Sequence, residues 1–177
     1  VSSIFLLTEC YMIIRNETAS DIVAITHVTV AAFMNLKISN QTEHCMIHAL
    51  REAGALSLSL VAEIDGDVVG HVAFSPVTIS DGAKGWYGLG PVSVLPGLQN
   101  QGIGSSLIRQ GLSLLKQMGG EGCALVGDPN YYRRFEFRHV TGLVYEGVPQ
   151  EFFLALPFNA TIPQGTVLFH EAFLAES

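Results

Sequence analysis

The sequence predicts a mixed α/β domain in which helices cover both faces of one central sheet. Three observations carry this. Two strand-like runs, 58–64 and 68–77, flank Asp65-Gly66, a strong hairpin signal. Ile103, Leu107, Gly111, Leu114 or Leu115, and Met118 recur every three to four positions, which is a helical period. Strand-like and helix-like segments then follow one another along the chain, with no internal repeat or low-complexity linker. A chain of 177 residues is one domain by length and can bury a real core.

Taken in order, residues 1–11 (VSSIFLLTECY) stand apart as a leader or expression remnant, and the domain is expected over 12–177. Ile4–Leu7 is too short for a signal peptide and lacks its basic residues. Met12–Asn16 reads as a first strand, after which Thr18 or Ser20 can cap a helix. Ile22, Ile25, Val28 or Thr29, and Ala32 form one face of that helix, which ends near Phe33. A second helix is expected from Asn40 to Ala53, stopping at Gly54. The hairpin follows, and a loose turn at Gly82–Gly85 leads into a strand at Gly88–Leu95. Gly119-Gly120 end the long helix. Ala124–Val126 is a short buried strand, and Pro129 suits the first turn of a short helix through Phe135. Val140–Tyr145, Phe152–Leu156 and Val167–His170 read as closing strands.

Composition narrows the function classes. The chain is 49% hydrophobic and only 14% charged, with a mean hydropathy of +0.37. Its apolar runs are far too short to span a bilayer, so a membrane role is not expected. A thick core and an apolar surface patch, serving as a homodimer contact, account for the excess. The net charge of −7 argues against nucleic acid, because no basic block exists to neutralise phosphates. Cys10, Cys45 and Cys123 lack metal-ligand spacing and read as reduced thiols of a cytoplasmic protein. His44 and His48 are four apart on a helix, but no partner ligand pair is evident and no metal is expected.

The most informative stretch is GLGPVSVLPGLQNQGIGSSLIRQGLSLLKQM, residues 88–118. Gln99, Asn100, Gln101, Gly102, Ile103 and Gly104 sit where a helix starts. Two glycines there let the backbone approach a ligand closely. Unpaired N–H groups of the first turn, with the helix dipole, suit an anion such as a pyrophosphate. A dinucleotide fingerprint would need a third glycine where Leu107 stands, and a phosphate loop would need Gly-Lys-Ser/Thr where Gly104-Ser105-Ser106 stands. Ser105 and Ser106 also lack a recognisable His-plus-acid set for a hydrolase triad.

What remains is a strand, Pro96, Gln-x-x-Gly-x-Gly and a long helix. This resembles the acetyl-CoA-binding motif of the GCN5-related N-acetyltransferases, Gln/Arg-x-x-Gly-x-Gly/Ala, with the Val-x-Val-x-Pro approach of that family's splayed fourth strand. The order of elements from Met12 to about His170 is similar too. The resemblance implies the acyl-CoA N-acyltransferase fold, a mixed, mostly antiparallel sheet flanked by helices. It implies acetyl-CoA as co-substrate and a small-molecule or protein amine as acceptor. Val92, Ser93 and Val94 would then pair with the pantetheine arm, and Gln99 to Ser105 would cradle the pyrophosphate. A second segment, Tyr131-Tyr132-Arg133-Arg134-Phe135-Glu136-Phe137, is similar to the family's Tyr-x-x-x-Gly-Phe ending. By that match Tyr132 is the tyrosine that points at the coenzyme sulfur, and Glu136 stands where the family usually has glycine.

The expected reaction is direct attack of the amine on the thioester in a ternary complex, with Tyr132 protonating the departing thiolate as general acid. Backbone N–H groups near Val94 would polarise the carbonyl. For Tyr131, packing under the coenzyme is the favoured reading. No general base stands out. His71 reads as a satisfied strand histidine and Asp128, before Pro129, as a helix cap. Trp86 and Tyr87 read as aromatic packing. The alternative is a non-catalytic acyl-CoA-binding or sensor module on the same fold.

Overall fold

The computed structural model describes residues 11–37 and 39–175. The segment expected as a leader therefore lies, apart from Tyr11, outside the described residues. In chain order the elements are β1 (Met12–Asn16), α1 (Ile22–Phe33), α2 (Glu43–Glu52), β2 (Leu58–Ile64), β3 (Asp67–Pro76), β4 (Thr78–Ile79) and β5 (Trp86–Val94). After these come α3 (Ile103–Gln117), β6 (Gly122–Val126), α4 (Pro129–Tyr132), β7 (Leu143–Val144), β8 (Phe153–Pro157) and β9 (Gly165–Leu168).

Six strands form the main sheet in the order β1-β2-β3-β5-β6-β8. All its neighbours are antiparallel except β5 and β6. The hairpin turn sits at Asp65-Gly66, both with positive φ (52° and 89°), as that dipeptide favours. On one face α3 buries Leu107, Ile108 and Leu115 against Leu60, Val72 and Phe74. The helix can come this close because position 111 has no side chain: a Cβ there would sit 2.2 Å from Phe74 Cε2. On the other face Ile25 of α1 and Ile47 of α2 pack on Val61.

Two expectations need correction. The second helix begins at Glu43 rather than Asn40, because Gln41 takes φ 61°, outside the helical region. The closing strands do not all extend the main sheet. Only β8 does so, beside β6. β7 and β9 join β4 in a separate three-stranded sheet, order β4-β9-β7. Ile79, Leu143 and Val167 share a small core there with Trp86 and Phe153, which ties this sheet to the back of β5 and β8.

β5 is irregular. Between its pairs with Phe74 (Leu89) and with Val72 (Val92) it spends one residue more than β3 does. The extra length falls at Gly90, φ 145°, and Pro91, which has no N–H to give a ladder. Pairing of β5 with β6 covers only Trp86–Gly88 against Gly122–Ala124. Beyond Gly88 the two strands part, and one edge of Leu89–Val94 is free of β6.

Candidate active site

The parting of β5 from β6 opens a cleft of about 380 Å³ that runs from the free strand edge to the start of α3. Val92, Ser93, Val94, Gln99, Asn100, Gly102, Ile103, Gly104 and Ser105 all line it. Of the residues singled out in the sequence for coenzyme binding, Gln101 alone does not. Its side chain turns back to the Gly97 carbonyl at 3.4 Å. Gln99 has an internal task as well, donating from Nε2 to the Val94 carbonyl at 3.0 Å and so tying the loop to the strand end. Ser93 sends its hydroxyl to the opposite face, 3.3 Å from Thr29 Oγ1 of α1. With that hydroxyl on the α1 face, Ser93 meets the cleft through its backbone.

The anion-binding geometry comes from the local fold. Gly102, φ 89°, precedes α3 and supplies no side-chain cap. The first bond of the helix runs from Ser106 N–H to the Gly102 carbonyl at 2.9 Å. The N–H groups of Ile103, Gly104 and Ser105 precede it and have no carbonyl of their own helix to meet. A Cβ at Gly104 would meet only Tyr131 Oη at 3.5 Å and Val94 Cγ2 at 3.6 Å. A glycine is thus not required by the protein's own packing at this point, which leaves the space to a ligand.

Arg134 also lines the cleft and was not singled out in the sequence. Its guanidinium lies 4.4 Å from the Tyr131 ring centroid, and its Nε donates to the Tyr131 carbonyl at 2.8 Å. A cation beside a tyrosine, three residues on in a helical turn, is the signal that could have revealed it. With the dipole of α3 it makes this end of the cleft locally positive on a chain of net charge −7.

The two tyrosines divide the site. Tyr131 lines the cleft. Tyr132 lines a second pocket of about 460 Å³ on the far side of Val92, with Val92 common to both. Tyr132 packs edge-on to Tyr131 (centroids 4.9 Å, 89°) and to Phe137 (6.1 Å, 77°). Gly127 makes room for it, since a Cβ there would fall 2.4 Å from Tyr132 Cε2. Burial, with smaller contributions from Tyr131 and Cys123, pushes the Tyr132 phenol well above its usual range and keeps its proton on. Glu136, the departure from the resembled motif, adopts φ 69°. The backbone thus keeps the left-handed turn that glycine favours, and only the side chain differs.

The weighed bases fall outside the cleft. His71 is fully buried within the sheet, with Nε2 2.7 Å from Ser59 Oγ. Desolvation lowers it to about 4. Asp128 caps α4, accepting from the Asn130 N–H at 2.9 Å. His48 faces Glu52 at 3.3 Å on the exposed side of α2, and His44 lies against Cys45. Among the described residues no group of three metal-ligating side chains occurs, and no helix is long and apolar enough to cross a membrane.

Comparisons with known proteins identify the family. The family model described as "Acetyltransferase (GNAT) family" matches residues 36–137. A curated relative, "Uncharacterized N-acetyltransferase YhbS" of Escherichia coli K12, is 37% identical over 107 residues, 60% of this chain and 64% of that protein. The match thus spans a little under two thirds of the curated relative. A crystal structure of a GNAT family acetyltransferase from Brucella melitensis in complex with acetyl-CoA is 50% identical, with TM-score 0.83, covering 93% of this chain and 99% of that one. The crystal structure of Escherichia coli YhbS in complex with CoA is 30% identical, with TM-score 0.87, covering 95% and 94%. The splayed strand, the glycine-led helix and the matched family model converge, and this chain belongs to the GNAT acetyltransferase family.

Proposed function

We propose that the protein is an acetyl-CoA-dependent N-acetyltransferase that moves the acetyl group directly to an amine in a ternary complex. The observation that carries this reading is the meeting of two pockets at Val92, with Tyr132 in the wall of the second. One pocket has an open strand edge and an uncapped helix start, which suits an extended, anionic coenzyme. The other is free to hold the acceptor. The acetyl-CoA seen in the Brucella protein and the CoA seen in YhbS support the first assignment.

In this reading the free edge of Val92–Val94 pairs with the pantetheine arm. The N–H groups of Ile103, Gly104 and Ser105 hold the pyrophosphate, with Arg134 beside them. The amine nitrogen forms a bond to the thioester carbonyl carbon, and backbone N–H groups of β5 stabilise the oxyanion. The C–S bond then breaks, the thiolate takes the Tyr132 proton, and the nitrogen gives up its excess proton to restore the phenol. A buried phenol suits this task because it stays protonated through the neutral range.

The test is Tyr132→Phe, which keeps the ring and its edge-on contacts. Coenzyme A affinity should stay within a few-fold, while turnover with an acceptor found in an amine panel should fall roughly 100-fold. A Phe variant with full turnover makes Tyr132 a packing residue. Coenzyme binding by the wild type with no transfer to any amine would favour the binding-module alternative.

A further inference from the structure

The second pocket carries information about the acceptor. Its walls come from the end of α1, the start of α2, the bulge of β5 and the aromatic residues after α4, including Phe33, Met46, Pro91, Tyr145 and Phe173. Among the described residues one carboxylate, Glu43, is set in this apolar wall, and no lysine, arginine or histidine lines the pocket. Glu43 Oε1 accepts from Ser39 Oγ at 2.5 Å. Its other oxygen, Oε2, is buried and has no hydrogen-bond partner among the described residues. An unmatched buried acceptor of this kind is costly in the free protein, and a turn of the carboxylate towards the pocket would let a cationic N–H donor offset that cost.

We infer that the acceptor is a compact primary amine on an apolar body, seated in this pocket with its ammonium paired to the Glu43 carboxylate. The inference rests on the acetyltransferase reading and deepens it. A free amino acid fits poorly, because its own carboxylate would meet no cation in these walls. A polyamine fits poorly too, since its further ammonium groups would find no second carboxylate among the described residues of the lining. Before attack the ammonium releases one proton to solvent, which frees the nitrogen lone pair. The second proton goes to the phenol as the thiolate is protonated, so the product is a neutral amide. The product then has no charge for Glu43 to hold, which favours its release.

The experiment is calorimetric titration of 2-phenylethylamine into the protein saturated with coenzyme A, which cannot react. The amine should bind, and 2-phenylethanol, phenylalanine and spermidine should each bind at least tenfold more weakly. Glu43→Gln keeps an amide oxygen for the Ser39 hydroxyl. It should weaken the amine at least tenfold, about 1.4 kcal/mol, without changing coenzyme A or 2-phenylethanol affinity. Absent amine binding, unchanged amine affinity in Glu43→Gln, or equal affinity for phenylalanine or spermidine overturns the inference. Failure of coenzyme A itself to bind overturns the acetyltransferase reading instead, and the same titration into the free protein then reads the pocket by itself.

Discussion

His71 is the end of a buried polar chain that crosses the sheet to its surface. The Ser59 hydroxyl donates to Glu17, so it can only accept from His71, and the proton of the neutral imidazole is on Nε2. Glu17 is clamped in turn by Arg51, whose Nε and Nη2 donate to it at 2.8 and 2.9 Å. Burial would raise the Glu17 carboxyl, but the Arg51 and Ser59 hydrogen bonds outweigh it and hold it below the usual range. Because His71 is lowered from 6.5 to about 4, the unfolded chain takes up its proton at a higher pH than the folded protein. Its contribution to stability is therefore complete above pH ~6.5 and is lost as pH falls towards ~4, amounting to at most about 3 kcal/mol. Urea denaturation at pH 7 and pH 5 should show that loss. In His71→Gln the difference between the two pH values should shrink. An equal difference in both proteins would assign the pH dependence to other groups.

At Gly111 α3 lies close against Phe74 of the sheet. Replacing this glycine with alanine favours the helix by about 1 kcal/mol, but the new Cβ falls 2.2 Å from the Phe74 ring. Overpacking of this kind costs about 1–3 kcal/mol. With a contact this short at a fully buried ring we expect the upper part of that range, so the clash should win and Gly111→Ala should melt at a lower temperature. A higher melting temperature would mean that the ring shifts at no cost. The same helix shows why much of the fold was legible. Its period is long, its stop at Gly119-Gly120 is chemical, and the strand before it is framed by turn residues. The sheet β4-β9-β7 was not legible, because two strands of two residues carry no period. The bulge in β5 was hidden for another reason. Gly90-Pro91 reads as punctuation in a sequence, and only the register with β3 shows an extra residue within a continuous strand. At the site, most of the lining of the first cleft was legible because it falls within one stretch, 92 to 105. Glu43 was not, since the second pocket draws its walls from separated segments scattered between residues 33 and 174.

Considered as a whole, the molecule keeps two chemically different pockets on either side of one strand. A net charge of −7 favours approach of a cationic amine from any direction. The anionic coenzyme must instead rely on a local field, made by the start of α3 and Arg134. In the proposed reaction the two ligands would meet at Val92, the residue common to both pockets, with Tyr132 in the wall of the acceptor pocket. This arrangement stands or falls on the coenzyme cleft. Gly104 tests it better than Gly102, whose φ of 89° would strain any side chain whether or not a ligand binds. At Gly104 a Cβ meets only ordinary contacts, so the branches of a valine should disturb the ligand more than the fold. The decisive measurement is calorimetric titration of coenzyme A into the wild type and into folded Gly104→Val. We predict micromolar or tighter binding to the wild type and a loss of at least tenfold, about 1.4 kcal/mol, in the variant. Equal affinity in the two proteins, or no binding to the wild type, would contradict the assignment of this cleft to the coenzyme.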